Sequence, residues 1–136
     1  MQLADHVTGL ATRGDLQAAL DRLTSADGPV ALVICDVVGL KHVNEHEGFL
    51  AGDAALRRAA DRLKEAAAGA TLVARLGGDE LVAVFIGPGA ATAADRAARG
   101  LVGAGSPPLR AAAVSALPNE APGPLVERLY ATMRRS

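Results

Sequence analysis

The chain alternates between two spacings of apolar residues, one typical of buried strands and one typical of amphipathic helices. Four apolar runs of strand length predict strands at residues 30–35, 72–74, 82–86 and 109–117. The first run is apolar at consecutive positions rather than at alternate ones, so we expect a central strand that is buried on both faces. This strand ends at Asp36.

Leucine and alanine recur at helical intervals between these runs. The pattern predicts helices over about residues 12–24, 53–69, 92–102 and 125–133. Thr12 and Asp15 have the spacing of a capping box, and Asp53 is a typical N-cap for the second helix. Residues 39–52 have a mixed pattern, which indicates a short helix and a loop.

A glycine pair, Gly77 and Gly78, separates the second and third apolar runs. Glycine enters positive φ without a Cβ clash, so this pair indicates a hairpin with antiparallel strands. Two helices lie between the first strand and the hairpin, and a helix, a strand and a helix follow it. The sequence therefore predicts one domain over residues 1–136 with an α+β fold, an α/β sandwich in which helices flank a mostly antiparallel sheet.

Composition excludes several classes of function. The formal net charge is -1 and aromatic residues make up 2% of the chain, so we expect no nucleic-acid-binding face. The single Cys35 lies inside an apolar run, which favours a buried structural thiol and a reducing, cytoplasmic setting. No apolar stretch approaches the roughly 20 residues that span a bilayer, and the first residues do not resemble a signal peptide.

Acidic residues mark two places that the fold would bring together. Asp36 ends the first strand, and Asp79 and Glu80 follow the glycine pair. If these strands are neighbours, Asp36 and Asp79 converge on one divalent cation, because Mg²⁺ prefers carboxylate and carbonyl oxygens. Such a site suits phosphoryl or nucleotidyl transfer from a nucleoside triphosphate.

Three segments, in order along the chain, resemble signatures of the GGDEF domain family. Residues 5–13 (DHVTGLATR) resemble its opening motif, residues 36–53 resemble its aspartate and asparagine segment, and residues 74–81 (ARLGGDEL) resemble the motif that names it. The resemblance implies the GGDEF fold, which is similar to class III nucleotidyl cyclases and the polymerase palm. It also implies diguanylate cyclase activity, in which two GTP molecules held by two facing subunits are joined into cyclic di-GMP.

The resemblance implies a metal site at the acidic residues. Asp36 and Asp79 match positions that bind Mg²⁺ or Mn²⁺, and the carbonyl of Val37 would complete the shell. Glu80 matches a residue that assists at the metal or at the reacting hydroxyl. Asp79 and Glu80, together with a lysine described next, are therefore the expected catalytic residues.

The resemblance also implies a GTP site. Asn44 and Asp53 match the pair that reads guanine, whose N1 and N2 hydrogens donate to a carboxylate and whose other edge accepts from an amide. Lys41 matches a lysine near the phosphates. Gly77 and Gly78 would let backbone N–H groups approach the triphosphate closely.

Several positions depart from the family pattern and leave alternatives open. Val38 stands where a second acid is common, Phe49 where histidine is usual, and Met133 where a C-terminal lysine is usual. The second hypothesis is therefore a catalytically weak or inactive domain that binds a guanine nucleotide or a protein partner as a regulatory module. A third is a receiver-like switch with Asp36 as phosphate acceptor, which leaves the hairpin acids unexplained.

Regulation and assembly are expectations of the same kind. The Arg-x-x-Asp of product-inhibited relatives corresponds to Ala68 and Thr71 here, so we expect no feedback through that site. The resemblance implies an active homodimer, and a sensor or regulatory partner is a further expectation. Tyr130 is interpreted as a core residue.

Overall fold

The computed structural model describes residues 4–23, 28–103 and 105–135. Within them, five helices and four strands follow one another in the order α1 Arg13–Arg22, β1 Val30–Val37, α2 Leu40–Glu47, α3 Phe49–Ala66, β2 Leu72–Arg75, β3 Glu80–Ile86, α4 Ala90–Val102, β4 Leu109–Ser115 and α5 Pro122–Arg134. Each element that the apolar pattern predicts is present. The predicted end of the first helix, at about residue 24, lies outside the described residues.

The four strands form one antiparallel sheet in the order β2-β3-β1-β4, which confirms the α+β fold and the hairpin. β1 occupies an inner position, between β3 and β4. In this register Asp36 lies opposite Glu80 on one side and opposite Arg110 on the other. The register therefore brings the end of β1 beside the hairpin turn.

Helices cover both faces of the sheet. Buried residues of α3 and α4 form one core cluster with Val33 and Cys35, and those of α1 and α5 form the other with Leu32 and Ile34. Successive residues of a strand point to opposite faces, so the continuous apolar run of β1 is what two buried faces require. Burial raises the pKa of the Cys35 thiol to about 12, which leaves it a structural, unreactive group.

The start of α3 differs from the sequence prediction. The helix begins at Phe49, with Gly48 as its N-cap, so Asp53 lies in the second turn and its interpretation as an N-cap is wrong. Gly48 has φ of 94°, a conformation that favours glycine, and it separates α2 from α3. The apolar pattern missed this first turn because Phe49 and Leu50 are both exposed there.

The start of α1 follows its sequence signature. The Thr12 hydroxyl accepts from the Asp15 amide at 3.1 Å, and the Asp15 carboxylate accepts from the Thr12 amide at 2.9 Å. The capping box is therefore complete and satisfies two backbone donors at the helix start.

Candidate functional site

A cavity of about 390 Å³ opens beside the hairpin turn. Its described lining comes from α2, α3, the end of β2 and the turn, and consists of Leu40, Lys41, Asn44, Phe49, Gly52, Asp53, Leu56, Arg75, Gly78 and Asp79. Five of the residues singled out from the sequence thus share one cavity: Lys41, Asn44, Asp53, Gly78 and Asp79. The other four predicted site residues are not part of this described lining: Gly77 lies in the turn, Glu80 begins β3 opposite Asp36, and Val37 ends β1.

The placement of Asn44 depends on a glycine of the next helix. Gly52 is buried in α3, and a Cβ built at this position would overlap the side-chain oxygen of Asn44. The missing side chain lets the amide lie against the α3 backbone, within the same cavity as Asp53. Gly52 is therefore a positioning residue for Asn44.

On the expectation, from the family resemblance, that Asn44 contacts GTP, Gly52→Ala should weaken GTP binding about tenfold, on the scale of one good polar contact, without lowering the free energy of unfolding. The added methyl displaces the end of the Asn44 side chain, whereas alanine is the better helix former by about 0.5–1 kcal/mol. Calorimetric GTP titration and urea unfolding measure the two effects. Gly100→Ala in α4 is the matched control, because a Cβ there meets no atom within 4 Å. Unchanged GTP affinity in Gly52→Ala would contradict this role.

Asp36 is held by an ion pair that sequence reasoning missed. Arg110 of β4 donates from Nε to Oδ1 at 3.2 Å and from Nη2 to Oδ2 at 2.7 Å. The Asp36 residue is only 7% exposed, so the guanidinium supplies the countercharge that a buried carboxylate needs. The hydrogen bond to Asp36 raises the pKa of Arg110, and the charge of Asp79 adds to this rise. Arg110 is thus a cation that acts on both Asp36 and Asp79.

Glu80 is also held in place, by the last helix. The Tyr130 hydroxyl of α5 donates to Glu80 Oε1 at 3.0 Å. Burial raises the pKa of Tyr130 to about 12, and the bond to the carboxylate contributes to the same shift. Tyr130 is partly buried against the core, but its hydroxyl gives it a second role that the core interpretation did not include.

The glycine turn is fixed by Arg75. Its guanidinium donates to the Gly78 carbonyl at 2.7 Å, to the Gly77 carbonyl at 3.3 Å and to the Asp5 carboxylate at 3.1 Å. Asp5 in turn accepts from the amide and hydroxyl of Thr8 at 2.8 and 2.7 Å. Burial alone would raise the pKa of Asp5, but these bonds from Thr8 and Arg75 outweigh it, and the pKa lies below its usual value. The segment 5–13 therefore acts on the site by anchoring the arginine that shapes the turn.

Lys41 and Met133 occupy contrasting positions. The Lys41 side chain is 91% exposed, and its nearest acidic partner is Glu45 at 3.9 Å, a solvated pair that costs little to separate. Lys41 is therefore free to turn toward an anion in the cavity. Met133, at the position of the family's lysine, is buried in the core between α5 and the sheet.

The described residues contain neither a cluster of metal-binding side chains nor a helix that could span a membrane. No group of three or more His, Cys, Asp or Glu side chains is arranged to hold a metal ion within residues 4–23, 28–103 and 105–135. Across the same segments, every helix is too short or too polar to span a membrane.

The fold is an α+β domain built on one four-stranded antiparallel sheet, and comparison places the chain in a family. The family model for the diguanylate cyclase GGDEF domain matches residues 2–113, and the chain belongs to that family. It is 41% identical over 105 residues to an uncharacterized signaling protein of Caulobacter vibrioides, covering 71% of this chain and 13% of that protein. It is 32% identical over 87 residues to diguanylate cyclase DgcP of Pseudomonas aeruginosa, covering 61% and 13%.

A solved structure has the same fold. The GGDEF domain of DgcB from Caulobacter crescentus, in complex with c-di-GMP, superposes with a TM-score of 0.84 and 23% sequence identity, covering 98% of this chain and 88% of that one. This likeness confirms the GGDEF fold. The chain spans only 13% of the length of each of the two relatives named above.

Proposed function

We propose that this domain binds GTP and, as a pair of facing subunits, condenses two GTP molecules into cyclic di-GMP with a divalent metal ion. The observation that carries the proposal is the shared cavity, in which Asn44 and Asp53 lie with Gly78 and Asp79 of the hairpin turn. Asn44 and Asp53 suit the polar edge of a purine, whereas Gly78 and Asp79 suit phosphates and their cation. Two neighbouring subsites of this kind are what a nucleoside triphosphate needs.

Base recognition falls to the two helices. Asn44 on α2 and Asp53 on α3 present an amide and a carboxylate to the same cavity. The carboxylate accepts from N1–H and N2–H of guanine, whereas adenine offers no donor at N1 and would leave the carboxylate unpaired. This arrangement favours GTP over ATP.

The acidic residues fit a divalent ion. Arg110 donates to both oxygens of the Asp36 carboxylate, so a divalent ion at Asp36 would take over the positive charge that the guanidinium supplies. Asp36 and Asp79, assisted by Glu80 and the Val37 carbonyl, would offer the hard oxygen donors that Mg²⁺ or Mn²⁺ prefers once Arg110 turned away from Asp36. The described acids do not form a ready cluster of three, but Mg²⁺ commonly takes only one or two carboxylates beside substrate phosphates. When bound, such an ion neutralises charge on the triphosphate.

The remaining residues orient the phosphates and the nucleophile. The Gly78 N–H lies in a turn that Arg75 fixes, and Lys41 is free to reach an anion. The Gly77 N–H donates to the Glu80 carbonyl at 3.4 Å, a long bond that a phosphate oxygen would have to replace. In this proposal Glu80, whose carboxylate accepts from the Tyr130 hydroxyl, accepts the proton of the reacting 3′-hydroxyl. Because each subunit presents one GTP, the nucleophile comes from the facing subunit.

A second candidate function is guanine-nucleotide binding without turnover. Two observations favour it: Arg110 holds the metal-binding carboxylate of Asp36, and Met133 brings no cation to the site. Such a domain would serve as a regulatory module for a protein partner. In both cases we place the domain in the cytoplasm, where GTP and Mg²⁺ are available.

Incubation with GTP and Mg²⁺, followed by chromatography, separates the two functions. We expect cyclic di-GMP, with turnover per subunit that rises with protein concentration because two half-sites must meet. Turnover that stays flat over dilution through the dimerisation range would contradict the facing-subunit arrangement. Bound GTP without cyclic product at any concentration would establish the regulatory function instead.

A further inference from the structure

Phe49 is a large apolar side chain that is 76% exposed although it lines the cavity. Exposure of an aromatic ring is unfavourable, because apolar surface left in water forgoes the gain of burial. The chain holds only two phenylalanines, one tyrosine and no tryptophan. Phe85 is buried and Tyr130 is bonded to Glu80, and Phe49 is the aromatic residue in the described lining of the cavity.

Phe49 lies close in sequence to Asp53, one of the two residues proposed to read the base. Phe49 and Asp53 are four residues apart on α3, a spacing that puts both side chains on the same face of the helix. Leu40 and Leu56, which are buried, form the aliphatic inner wall of the same cavity. The cavity therefore combines an aliphatic inner wall, a polar edge and an aromatic ring at its mouth.

Resting on the proposed GTP site, we propose that the Phe49 ring stacks on the face of the guanine base while Asn44 and Asp53 hold the base edge. A flat purine with two apolar faces and a polar edge is the ligand shape that these three surfaces match. Stacking buries the exposed ring on binding and gives affinity that does not depend on the phosphates. Phe49 is thus a substrate-binding residue. Although phenylalanine replaces the family's usual histidine at this position, the subsite keeps a side chain that contacts the base.

A fluorescence titration tests the stacking directly. Phe49→Trp introduces the only tryptophan of the chain, and a nucleobase stacked on an indole quenches its emission. GTP is expected to quench Phe49→Trp, whereas inorganic triphosphate is not. Leu50→Trp is the matched control, because Leu50 is the next residue, is 85% exposed and is not part of the described lining. Its emission is expected to stay unchanged with either probe.

Affinity provides the second readout. Phe49→Ala is expected to raise the Kd for GTP about tenfold, within the range found when an aromatic stacking partner of a base is removed. Leu50→Ala is expected to leave the Kd unchanged. Equal losses in both alanine variants would overturn the proposal, since they would indicate a general apolar patch.

The outcomes also separate this inference from the function on which it rests. If Asp53→Ala loses GTP but Phe49→Ala binds like the wild type, or if Phe49→Trp binds GTP without quenching, the stacking is overturned and the GTP site stands. If the wild-type protein binds no GTP, both proposals fall together.

Discussion

Asp79→Asn is expected to lower the rate of cyclic di-GMP formation at least about a hundredfold, which is the scale of losing one electrostatic contact made to the transition state. Asp79 lines the cavity in the turn between β2 and β3 and lies within the field of Arg110. Asparagine keeps the shape of the side chain but removes the charge that the divalent ion and the triphosphate require. The free energy of unfolding should change by no more than about 0.5 kcal/mol, as for most surface substitutions.

Chromatography of the reaction with GTP and Mg²⁺ measures this effect, and urea unfolding checks the fold. Asp95→Asn is the matched control, because Asp95 is an exposed aspartate on α4 outside the described lining of the cavity. The control should keep full activity. A rate in Asp79→Asn within a few-fold of the wild-type rate would remove Asp79 from the reaction.

Arg110→Ala is expected to make the stability of the domain depend on Mg²⁺. Without metal, the variant leaves the buried Asp36 carboxylate without its countercharge, which should cost about 2 kcal/mol after allowance for the half-exposed guanidinium. For a domain of this size the Tm falls by about 8 °C. Mg²⁺ then replaces the missing cation, and linkage between binding and folding should restore most of the lost Tm.

Thermal unfolding in EDTA and in Mg²⁺ measures this dependence. Arg128→Ala provides the matched control, since Arg128 also forms a 2.7 Å ion pair, with Glu120. Arg128 bonds the Ser115 carbonyl, opposite Ala31, five positions along β1 from Asp36. Its loss should lower Tm without recovery in Mg²⁺. If Mg²⁺ shifts the Tm of the wild type and of both variants equally, Asp36 is not part of a metal site.

The fold could be predicted from the sequence where one local pattern determines one element. The consecutive apolar positions of β1, the glycine pair of the hairpin and the capping box at Thr12 each have a single physical explanation, and the structure confirms all three. The start of α3 could not be predicted in this way, because its first residues are apolar yet face solvent. The spacing of apolar residues indicates which positions are buried, and Phe49 and Leu50 are exposed.

The sequence allowed candidate site residues to be named, and their roles stay predictions, but it did not allow the contacts that hold them to be named. Lys41, Asn44, Asp53, Gly78 and Asp79 line one cavity, whereas Asp36, Val37, Gly77 and Glu80 are not part of its described lining. Arg75, Arg110 and Tyr130 were missed because their partners are 70, 74 and 50 residues away along the chain. One signal was available: Arg110 is a single charge inside the apolar run of β4, and such a charge usually has a partner.

Binding of a non-hydrolysable GTP analogue and of the matching ATP analogue, both in Mg²⁺, tests most directly whether the cavity is a guanine-nucleotide site. The wild type should bind the GTP analogue about a hundredfold more tightly, because adenine would leave the Asp53 carboxylate unpaired. Asp53→Ala should abolish this preference, whereas Asp61→Ala, which changes an exposed aspartate on the same helix, should retain it. Equal affinity for the two analogues, or a preference that survives Asp53→Ala, would show that Asn44 and Asp53 do not read guanine.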